Sequence, residues 1–201
     1  MFITFEGGEG TGKTTIIKTI SRRIEELGHK VITTREPGGS IVAEQIRNVI
    51  LDPNNDSIKA HTEALLYAAS RAQHIDEVIK PALEDERIVL CDRYLDSSLA
   101  YQGYARGLGY DYVLKVNDYA TKFLPDLTFY IDLDPQIGLD RIVNRVQKDR
   151  LDLEEVSFHQ LVRKGYLDLV NMYPKRIIVL DGTQTIEEII TIVLNKISEI
   201  L

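Results

Sequence analysis

The sequence predicts an α/β protein in which a five-stranded parallel sheet is covered by helices on both faces. Five short apolar runs, rich in residues that favour strands, occur at residues 1–6, 31–34, 88–91, 127–131 and 177–180. Segments with helical spacing of apolar residues separate these runs, which is the alternation that builds a buried parallel sheet. A glycine-rich segment joins the first run directly to the first helical segment. We therefore expect one α/β domain over residues 1–201.

Seven segments are predicted as helices, at residues 14–27, 41–51, 62–83, 111–123, 135–148, 158–172 and 186–200. Breaks are predicted at three prolines, Pro81, Pro125 and Pro174. Three of the apolar runs are followed directly by an aspartate, namely Asp92, Asp132 and Asp181. Because the carboxyl ends of parallel strands meet at one edge of a sheet, these aspartates are expected to cluster near the glycine-rich segment.

Composition limits the classes of function that fit. The chain has a net charge of -7 and 44% hydrophobic residues, which argues for a folded protein and against general binding to nucleic acid or a membrane surface. No apolar stretch is long enough to cross a bilayer, and the first residues do not resemble a secretion signal, so a cytoplasmic location is expected. Cys91 is the single cysteine and lies in an apolar run, which favours a buried packing role.

The glycine-rich segment fits the pattern Gly-x-x-x-x-Gly-Lys-Ser/Thr at residues 7–14. Between a strand and a helix, such a loop turns backbone N–H groups inward and places a helix N-terminus beside a bound phosphate. We expect Lys13 to reach the β- and γ-phosphates of a nucleoside triphosphate and Thr14 to offer its hydroxyl to Mg²⁺. The predicted phosphate-binding residues are Gly7, Gly8, Glu9, Gly10, Thr11, Gly12, Lys13, Thr14 and Thr15. The alternative is an ordinary glycine-rich turn.

Asp92 and Arg93 follow the third apolar run and suggest phosphoryl transfer. A carboxylate there can organise Mg²⁺ and its waters, while the guanidinium can grip a phosphate with two donors. A strand-end ion pair without a ligand is the alternative interpretation. GTPases are disfavoured, because the sequence has neither Asn-Lys-x-Asp nor an Asp-x-x-Gly motif after a strand.

With these motifs, the chain resembles the thymidylate kinase family over residues 2–183. The resemblance rests on segments at residues 5–15, 34–39 (TREPGG), 66–71 (LYAASR), 92–94 (DRY), 97–103 (SSLAYQG), 125–130 and 149–150. It implies a three-layer P-loop kinase fold with a short mobile lid at about residues 142–155, and transfer of the γ-phosphate of ATP to dTMP with Mg²⁺. It also implies a homodimer.

The resemblance also implies an acceptor site. Its residues are Glu9 near the sugar 3′-hydroxyl, Arg35 and Arg93 at the phosphate, Pro37 after a cis peptide bond, Tyr67 stacked on thymine, Arg71 donating to the base O4, Ser98 at the N3 edge and Tyr101 beside the sugar. Arg47 is a weaker phosphate candidate. Tyr67 could instead belong to the core, Ser98 could cap a helix, and Arg47 could be simply solvated.

Some members of the family carry a catalytic arginine where this chain has Gly10. Other members supply the cation from the lid, where Arg141, Arg145, Lys148 and Arg150 lie in this chain. Arg150 is the closest match to the lid arginine. Arg141 resembles a residue beside adenine, and Asp181, Gly182 and Thr183 are expected to line the other side of the adenine pocket. The predicted catalytic residues are thus Lys13, Glu9, Arg93 and Arg150, with Thr14 and Asp92 as metal ligands.

Two other functions stay open at this point. The first is a small kinase on the same scaffold that accepts another nucleoside monophosphate or a deoxynucleoside, which Tyr67 with Arg71 argues against. The second is a module that binds ATP without turning it over. A switch of that kind has no need for an acceptor-phosphate clamp such as Arg93.

Overall fold

The computed structural model of the chain describes residues 1–143 and 149–200. Its five strands are β1 (Phe2–Gly7), β2 (Val31–Arg35), β3 (Ile88–Asp92), β4 (Leu127–Asp132) and β5 (Ile177–Asp181). They form one sheet in the order β2-β3-β1-β4-β5, and every neighbouring pair is parallel. The predicted five-stranded parallel sheet is confirmed.

The helices alternate with the strands along the chain. They are α1 (Lys13–Glu26), α2 (Ile41–Leu51), α3 (Ala60–His74), α4 (Lys80–Glu84), α5 (Leu95–Ser98), α6 (Tyr110–Val116), α7 (Pro135–Ile142), α8 (Val156–Met172) and α9 (Ile186–Ser198). Two π-helical segments, Ile75–Ile79 and Leu99–Ala105, continue α3 and α5, and a 3₁₀ turn spans Ala120–Lys122. Over residues 1–143 and 149–200, no helix is both long and apolar enough to span a membrane.

Several helix boundaries differ from the prediction. Pro81 does not end the helix predicted at residues 62–83, because the π-helical segment Ile75–Ile79 precedes it and widens the turn where the proline ring would otherwise meet a carbonyl. The helix predicted at 111–123 ends at Val116, and that predicted at 135–148 is described only to Ile142. The helical stretch at residues 95–105 was not predicted at all.

The core consists of two apolar layers on opposite faces of the sheet. Alternate residues of β1 point to opposite faces, so Phe2 packs edge-on against Tyr94 with ring centroids 5.0 Å apart, while Phe5 stacks on Phe129 at 5.5 Å. Ile16, on α1, is fully buried in the second layer. Since a buried side chain of this size contributes roughly 1.5–3 kcal/mol, the two layers account for most of the stabilisation by burial. Cys91 is buried as predicted.

The parallel sheet brings chemically important residues to one edge. Asp92 at the end of β3 is level with Phe5 of β1 and with Arg35 of β2, and Asp132 of β4 is level with Asp181 of β5. The glycine-rich loop leaves β1 at this same edge. The three strand-end aspartates therefore lie along the carboxyl edge of the sheet, with Asp92 on one side of β1 and with Asp132 and Asp181 on the other.

Candidate active site

The loop between β1 and α1 wraps around the ammonium group of Lys13. The Nζ atom donates to the carbonyl oxygens of Gly7 at 3.1 Å and Gly8 at 2.9 Å and to the Thr11 hydroxyl at 3.2 Å. Burial, with the nearby Arg93 guanidinium, lowers the pKa of Lys13 from its usual value. Gly12 has a φ of 86°, which lets the chain turn directly into α1. The lysine is thereby held at the loop that is predicted to receive phosphates.

Gly10 lies where some members of the resembled family carry an arginine, and the structure shows why a side chain does not fit. Its φ is 67°, and a β-carbon there would collide with the backbone of Gly138 on α7. A β-carbon on Gly138 would in turn collide with the carbonyl oxygen of Glu9. This contact between two glycines fixes the loop against α7 and leaves no room for a side chain at position 10.

Thr14 and Asp92 form the pair predicted to hold Mg²⁺. The Thr14 hydroxyl donates to Oδ2 of Asp92 at 3.1 Å, and Oδ1 of Asp92 is buried without a hydrogen-bond partner. Within residues 1–143 and 149–200, no group of three or more His, Cys, Asp and Glu side chains is arranged around a metal position. Mg²⁺ at phosphate sites typically uses one or two carboxylates together with phosphate oxygens and waters, so this donor set fits the ion.

Arg93 reaches from the end of β3 to the glycine-rich loop. Its φ is 68°, a left-handed conformation that is rare for residues other than glycine and costs about 1–3 kcal/mol. The guanidinium donates to the carbonyl oxygen of Gly7 at 2.8 Å and to the carboxylate of Glu9 at 2.5 Å. It also lies over the ring of Tyr101, 5.2 Å from its centroid. Gly7 and Glu9 of the loop and Tyr101 of the helical stretch after β3 therefore meet at one guanidinium.

Glu9 is ionised in this setting. Burial alone would raise the pKa of its carboxyl group, but Arg93 and Lys13 outweigh burial and lower that pKa to about 2. The Tyr101 hydroxyl adds a hydrogen bond at 3.2 Å. A negative charge is thus kept inside the phosphate-binding loop, next to the two cations predicted to bind phosphates.

Glu6 is a functional candidate that the sequence analysis missed. Its carboxylate is fully buried and accepts from the Tyr94 N–H at 2.8 Å, the Ser97 hydroxyl at 2.5 Å and the Tyr166 hydroxyl at 2.8 Å. Burial, followed by the charge of Asp96, raises the pKa of Glu6 to about 7. The sequence contains a signal that could have identified Glu6, since a glutamate at the end of an apolar run is unusual in a buried strand.

One cavity joins the loop to the predicted acceptor residues. It has a volume of about 440 Å³, within the range of small-ligand sites. Lys13, Thr14 and Thr15 line one part of it. The other lining residues from the prediction are Glu9, Gly10, Thr11, Gly12, Arg35, Pro37, Arg47, Tyr67, Arg71, Asp92, Arg93, Tyr101 and Arg141. The peptide bond before Pro37 is cis, as predicted.

Arg71 lies in the wall of this cavity with a fixed guanidinium. Its side chain is 1% exposed and donates to Glu36 at 2.7 Å, to Asn117 at 2.6 Å and to the Tyr94 carbonyl at 3.0 Å. A guanidinium has five N–H donors, so these three bonds leave two for a ligand. Arg35 donates to Glu44 at 2.8 Å, and Arg47 donates to the Pro37 carbonyl at 2.7 Å.

Some predicted residues lie elsewhere. Ser98 is buried but does not line the cavity, whereas its neighbour Ser97 does, since adjacent residues of a helix point in directions about 100° apart. Arg150 is also outside the cavity lining, and its guanidinium donates to Glu63 at 2.5 Å and to the Ile50 carbonyl at 2.8 Å. This position differs from the predicted one at the transferred phosphate, and the catalytic role of Arg150 stays a prediction.

The predicted adenine side is only partly assembled. Arg141 donates to the carbonyl oxygens of Gly10 at 3.2 Å and Gly182 at 3.5 Å, so it bridges the glycine-rich loop and the turn after β5. Asp181 accepts instead from Thr183, through the backbone N–H at 2.8 Å and the hydroxyl at 2.7 Å. Neither Asp181 nor Gly182 lines the cavity described above. Arg145 and Lys148, two further lid candidates, lie outside the described residues.

Comparison with known proteins assigns the family. The sequence profile of the family described as Thymidylate kinase matches residues 5–192. A thymidylate kinase of Acholeplasma laidlawii is 58% identical over 199 residues, covering 98% of both chains. A thymidylate kinase of Bacillus licheniformis is 52% identical over 204 residues, covering 100% of this chain and 96% of the relative.

A solved structure agrees with this assignment. The crystal structure of thymidylate kinase from Ehrlichia chaffeensis superposes with a TM-score of 0.79 at 31% identity and covers 98% of each chain. Sequence profile, relatives and fold therefore point to the same family over nearly the whole length, in agreement with the phosphate loop, the Asp92–Arg93 pair and the TREPGG segment. The chain belongs to the thymidylate kinase family and is a kinase.

Proposed function

We propose that the chain transfers the γ-phosphate of ATP to dTMP, giving dTDP, with Mg²⁺ bound at Thr14 and Asp92. The observation that carries this proposal is the shared cavity, in which the phosphate loop around Lys13 and the wall formed by Tyr67 and Arg71 face one space. Arg93 lies between the two halves, within hydrogen-bond distance of the loop carbonyl of Gly7. Family membership supports the same substrate.

The donor half consists of the loop and α1. Backbone N–H groups of the loop and the N-terminus of α1 favour the phosphates of ATP, and Lys13 neutralises charge between the β- and γ-phosphates. Thr14 and Asp92 would hold Mg²⁺, which would offset the negative charge of the phosphates. Arg141, whose guanidinium joins Gly10 to Gly182, is the candidate contact on the adenine side, with Asp181 and Gly182 next to it.

The acceptor half lies on α3 and the helical stretch after β3. Tyr67 supplies an aromatic face for the base, and the two unused N–H groups of Arg71 can donate to the O4 oxygen of thymine. Cytosine presents an amino group at that position, so donor would face donor. Tyr101 lies beside the sugar position, and Ser97 rather than Ser98 lines this part of the cavity.

The chemistry needs alignment and charge neutralisation more than a strong base. The acceptor phosphate is already an anion, and the transition state of phosphoryl transfer carries its charge on the phosphate oxygens. Arg93 binds the acceptor phosphate after exchanging its contact with Glu9 for one with the ligand. The carboxylate of Glu9 would then be free to accept from the sugar hydroxyl of the acceptor or from waters of a bound Mg²⁺. Arg35 and Arg47 flank the same phosphate position.

Arg150 remains our candidate for the cation that Gly10 cannot supply. To reach the transferred phosphate its guanidinium would have to leave Glu63, to which it donates at 2.5 Å. A site that is closed over both substrates keeps water away from the γ-phosphate. Transfer to the acceptor is then favoured over hydrolysis.

A coupled assay for ADP formation tests the substrate. We expect strong preference for dTMP when dTMP, dUMP, dCMP, dGMP, AMP and thymidine are offered separately at equal concentration. A higher kcat/KM for another monophosphate would favour a different small kinase on this scaffold. ATP binding without ADP formation for any acceptor would favour a binding module instead.

We also propose that the chain forms a homodimer in the cytoplasm. Helices α2 and α3 pack side by side and expose large apolar residues, including Ile41, which is 80% exposed, and Val42, Val49 and Leu65. Apolar residues on two adjacent helices are the type of surface that a second copy of a chain covers. Light scattering after size-exclusion chromatography should give about twice the monomer mass of 22.9 kDa.

A further inference from the structure

Glu63 is a buried carboxylate whose only part in the proposed mechanism is to hold Arg150 before that guanidinium moves. It lies in the first turn of α3, four residues before Tyr67 and therefore on the same helix face. The residue is only 1% exposed. Burial would raise the pKa of its carboxyl group, but Arg106, Gln102 and Arg150 outweigh burial and lower that pKa. Glu63 is thus a buried negative charge next to the predicted acceptor site.

One oxygen of this carboxylate is bound to the wall of the acceptor cavity. Oε1 accepts from the side-chain amide of Gln102 at 2.8 Å. Gln102 is 1% exposed, follows Tyr101 directly and lines the same cavity. Because an ionised carboxylate only accepts hydrogen bonds, Glu63 determines which end of the Gln102 amide faces it. The N–H end of that amide is therefore committed to Glu63, and its carbonyl oxygen points away from that carboxylate.

The other oxygen is bound to the segment at residues 149–155. Oε2 accepts from Arg150 at 2.5 Å, and the backbone N–H of Arg150 donates to the Leu51 carbonyl at 3.0 Å. Arg106 adds a second connection, because it donates to both oxygens of Glu63 at 3.3 Å and to Glu154 at 2.5 Å. This cluster consists of two arginines and two carboxylates, whose charges cancel: Arg106, Arg150, Glu63 and Glu154. Glu63 is the most buried of the four.

We propose that Glu63 is a positioning residue of the acceptor site. It fixes the part of the cavity wall formed by Gln102 and ties it to the segment 149–155 through Arg106, and also through Arg150 for as long as that guanidinium stays on Glu63. The inference rests on the proposed function, because it depends on the acceptor binding beside Tyr67 and Gln102. Loss of the charge frees the Gln102 amide and leaves two arginines without their shared partner. The donor half is spared, because the hydrogen bonds of Lys13 go to its own loop.

The test compares Glu63→Gln with wild type in the coupled assay. We expect the KM for dTMP to rise about tenfold, on the scale of losing one hydrogen bond to a charged group, while the KM for ATP stays within about twofold. Glu63→Asp, which keeps the charge, should recover part of the dTMP affinity. Glu77→Gln is the matched control, since Glu77 is exposed on the helical continuation of α3 and should change neither constant.

A binding measurement separates positioning from a general loss of structure. In thermal unfolding, dTMP should raise the Tm of Glu63→Gln much less than that of wild type, whereas ATP with Mg²⁺ should raise both equally. Should Glu63→Gln fail to fold, Glu63→Asp and Arg106→Gln are measured in the same way and should show the same selective loss. An unchanged KM for dTMP in a folded variant, or equal increases for dTMP and ATP, would overturn this role for Glu63. Neither result would affect the proposed function, which depends on wild-type activity with dTMP.

Discussion

The guanidinium of Arg93 and the carboxylate of Glu9 form an ion pair at 2.5 Å, with both side chains largely buried. One residue follows β3 and the other lies in the glycine-rich loop, so the pair joins the two halves of the site. An acceptor phosphate that binds Arg93 must compete with Glu9. If Arg93 is the phosphate clamp that we propose, the carboxylate of Glu9 keeps it oriented until a ligand takes the place of that carboxylate.

Removal of the clamp should abolish most of the activity. We expect Arg93→Ala to lower kcat/KM for dTMP by at least about 100-fold, because the variant loses a preorganised positive charge that faces the phosphate oxygens. Arg93→Lys should not restore it, since an ammonium group cannot provide the planar pair of donors. Steady-state kinetics at saturating ATP measure both. Activity of Arg93→Lys near the wild-type level would show that a single positive charge suffices.

Arg150→Ala tests the cation that is missing at Gly10. If Arg150 reaches the transferred phosphate during turnover, the variant should lose about 100-fold in kcat, and much less in dTMP binding. Single-turnover measurement of phosphoryl transfer gives the relevant rate constant. An unchanged rate constant would reject this role and leave Arg150 as a structural partner of Glu63.

Arg71 should determine the choice of base. We expect Arg71→Gln to reduce the preference for dTMP over dCMP by about 10- to 100-fold, on the scale of one hydrogen bond to a charged group. The ratio of kcat/KM values for the two acceptors is the measurement. Because the variant also removes one of the two partners of the buried Glu36 carboxylate, the one at 2.7 Å, the fold of the variant should be checked by circular dichroism. Unaltered discrimination in a folded variant would contradict base reading by Arg71.

Glu6 should make stability depend on pH. Its folded-state pKa is about 7 against an ordinary value of 4.5, so the folded protein holds a proton that the unfolded chain releases. The contribution is complete below about pH 4.5 and is lost as the pH rises through 7, a change of about 3 kcal/mol. Urea unfolding from pH 4.5 to 8 should show this slope in wild type and a smaller slope in Glu6→Gln. Equal slopes would mean that Glu6 does not titrate in this range.

The sheet and the phosphate loop could be predicted because their signals are local. Apolar runs, glycines and strand-end aspartates occur in the chain in the order in which they are used, and parallel pairing brings them to one edge. These local signals were enough to predict the positions of Lys13, Thr14, Asp92 and Arg93, and no contact between distant segments had to be known.

Residues whose surroundings come from distant segments were harder to predict. Glu6 is held by Tyr166, which lies 160 residues away, and Glu63 by Arg150, 87 residues away. Neither partner can be inferred from spacing. Ser98 was predicted at the base from the family resemblance, and a match of sequence does not tell which of two adjacent serines faces the cavity. Arg150 was matched by its neighbours in the sequence, and a match of that kind carries no information about the conformation of its side chain.

Transfer of a labelled phosphate is the most direct test of the central idea that ATP and dTMP meet end to end at Lys13 and Arg93. With ATP radiolabelled at the γ-position, wild type should place the label in dTDP, and Lys13→Ala should lose this transfer by about 100-fold or more in an intact fold. Lys18→Ala, an exposed lysine on α1, serves as the control and should retain activity. Label released by wild type only as inorganic phosphate, or full transfer by Lys13→Ala, would contradict the account.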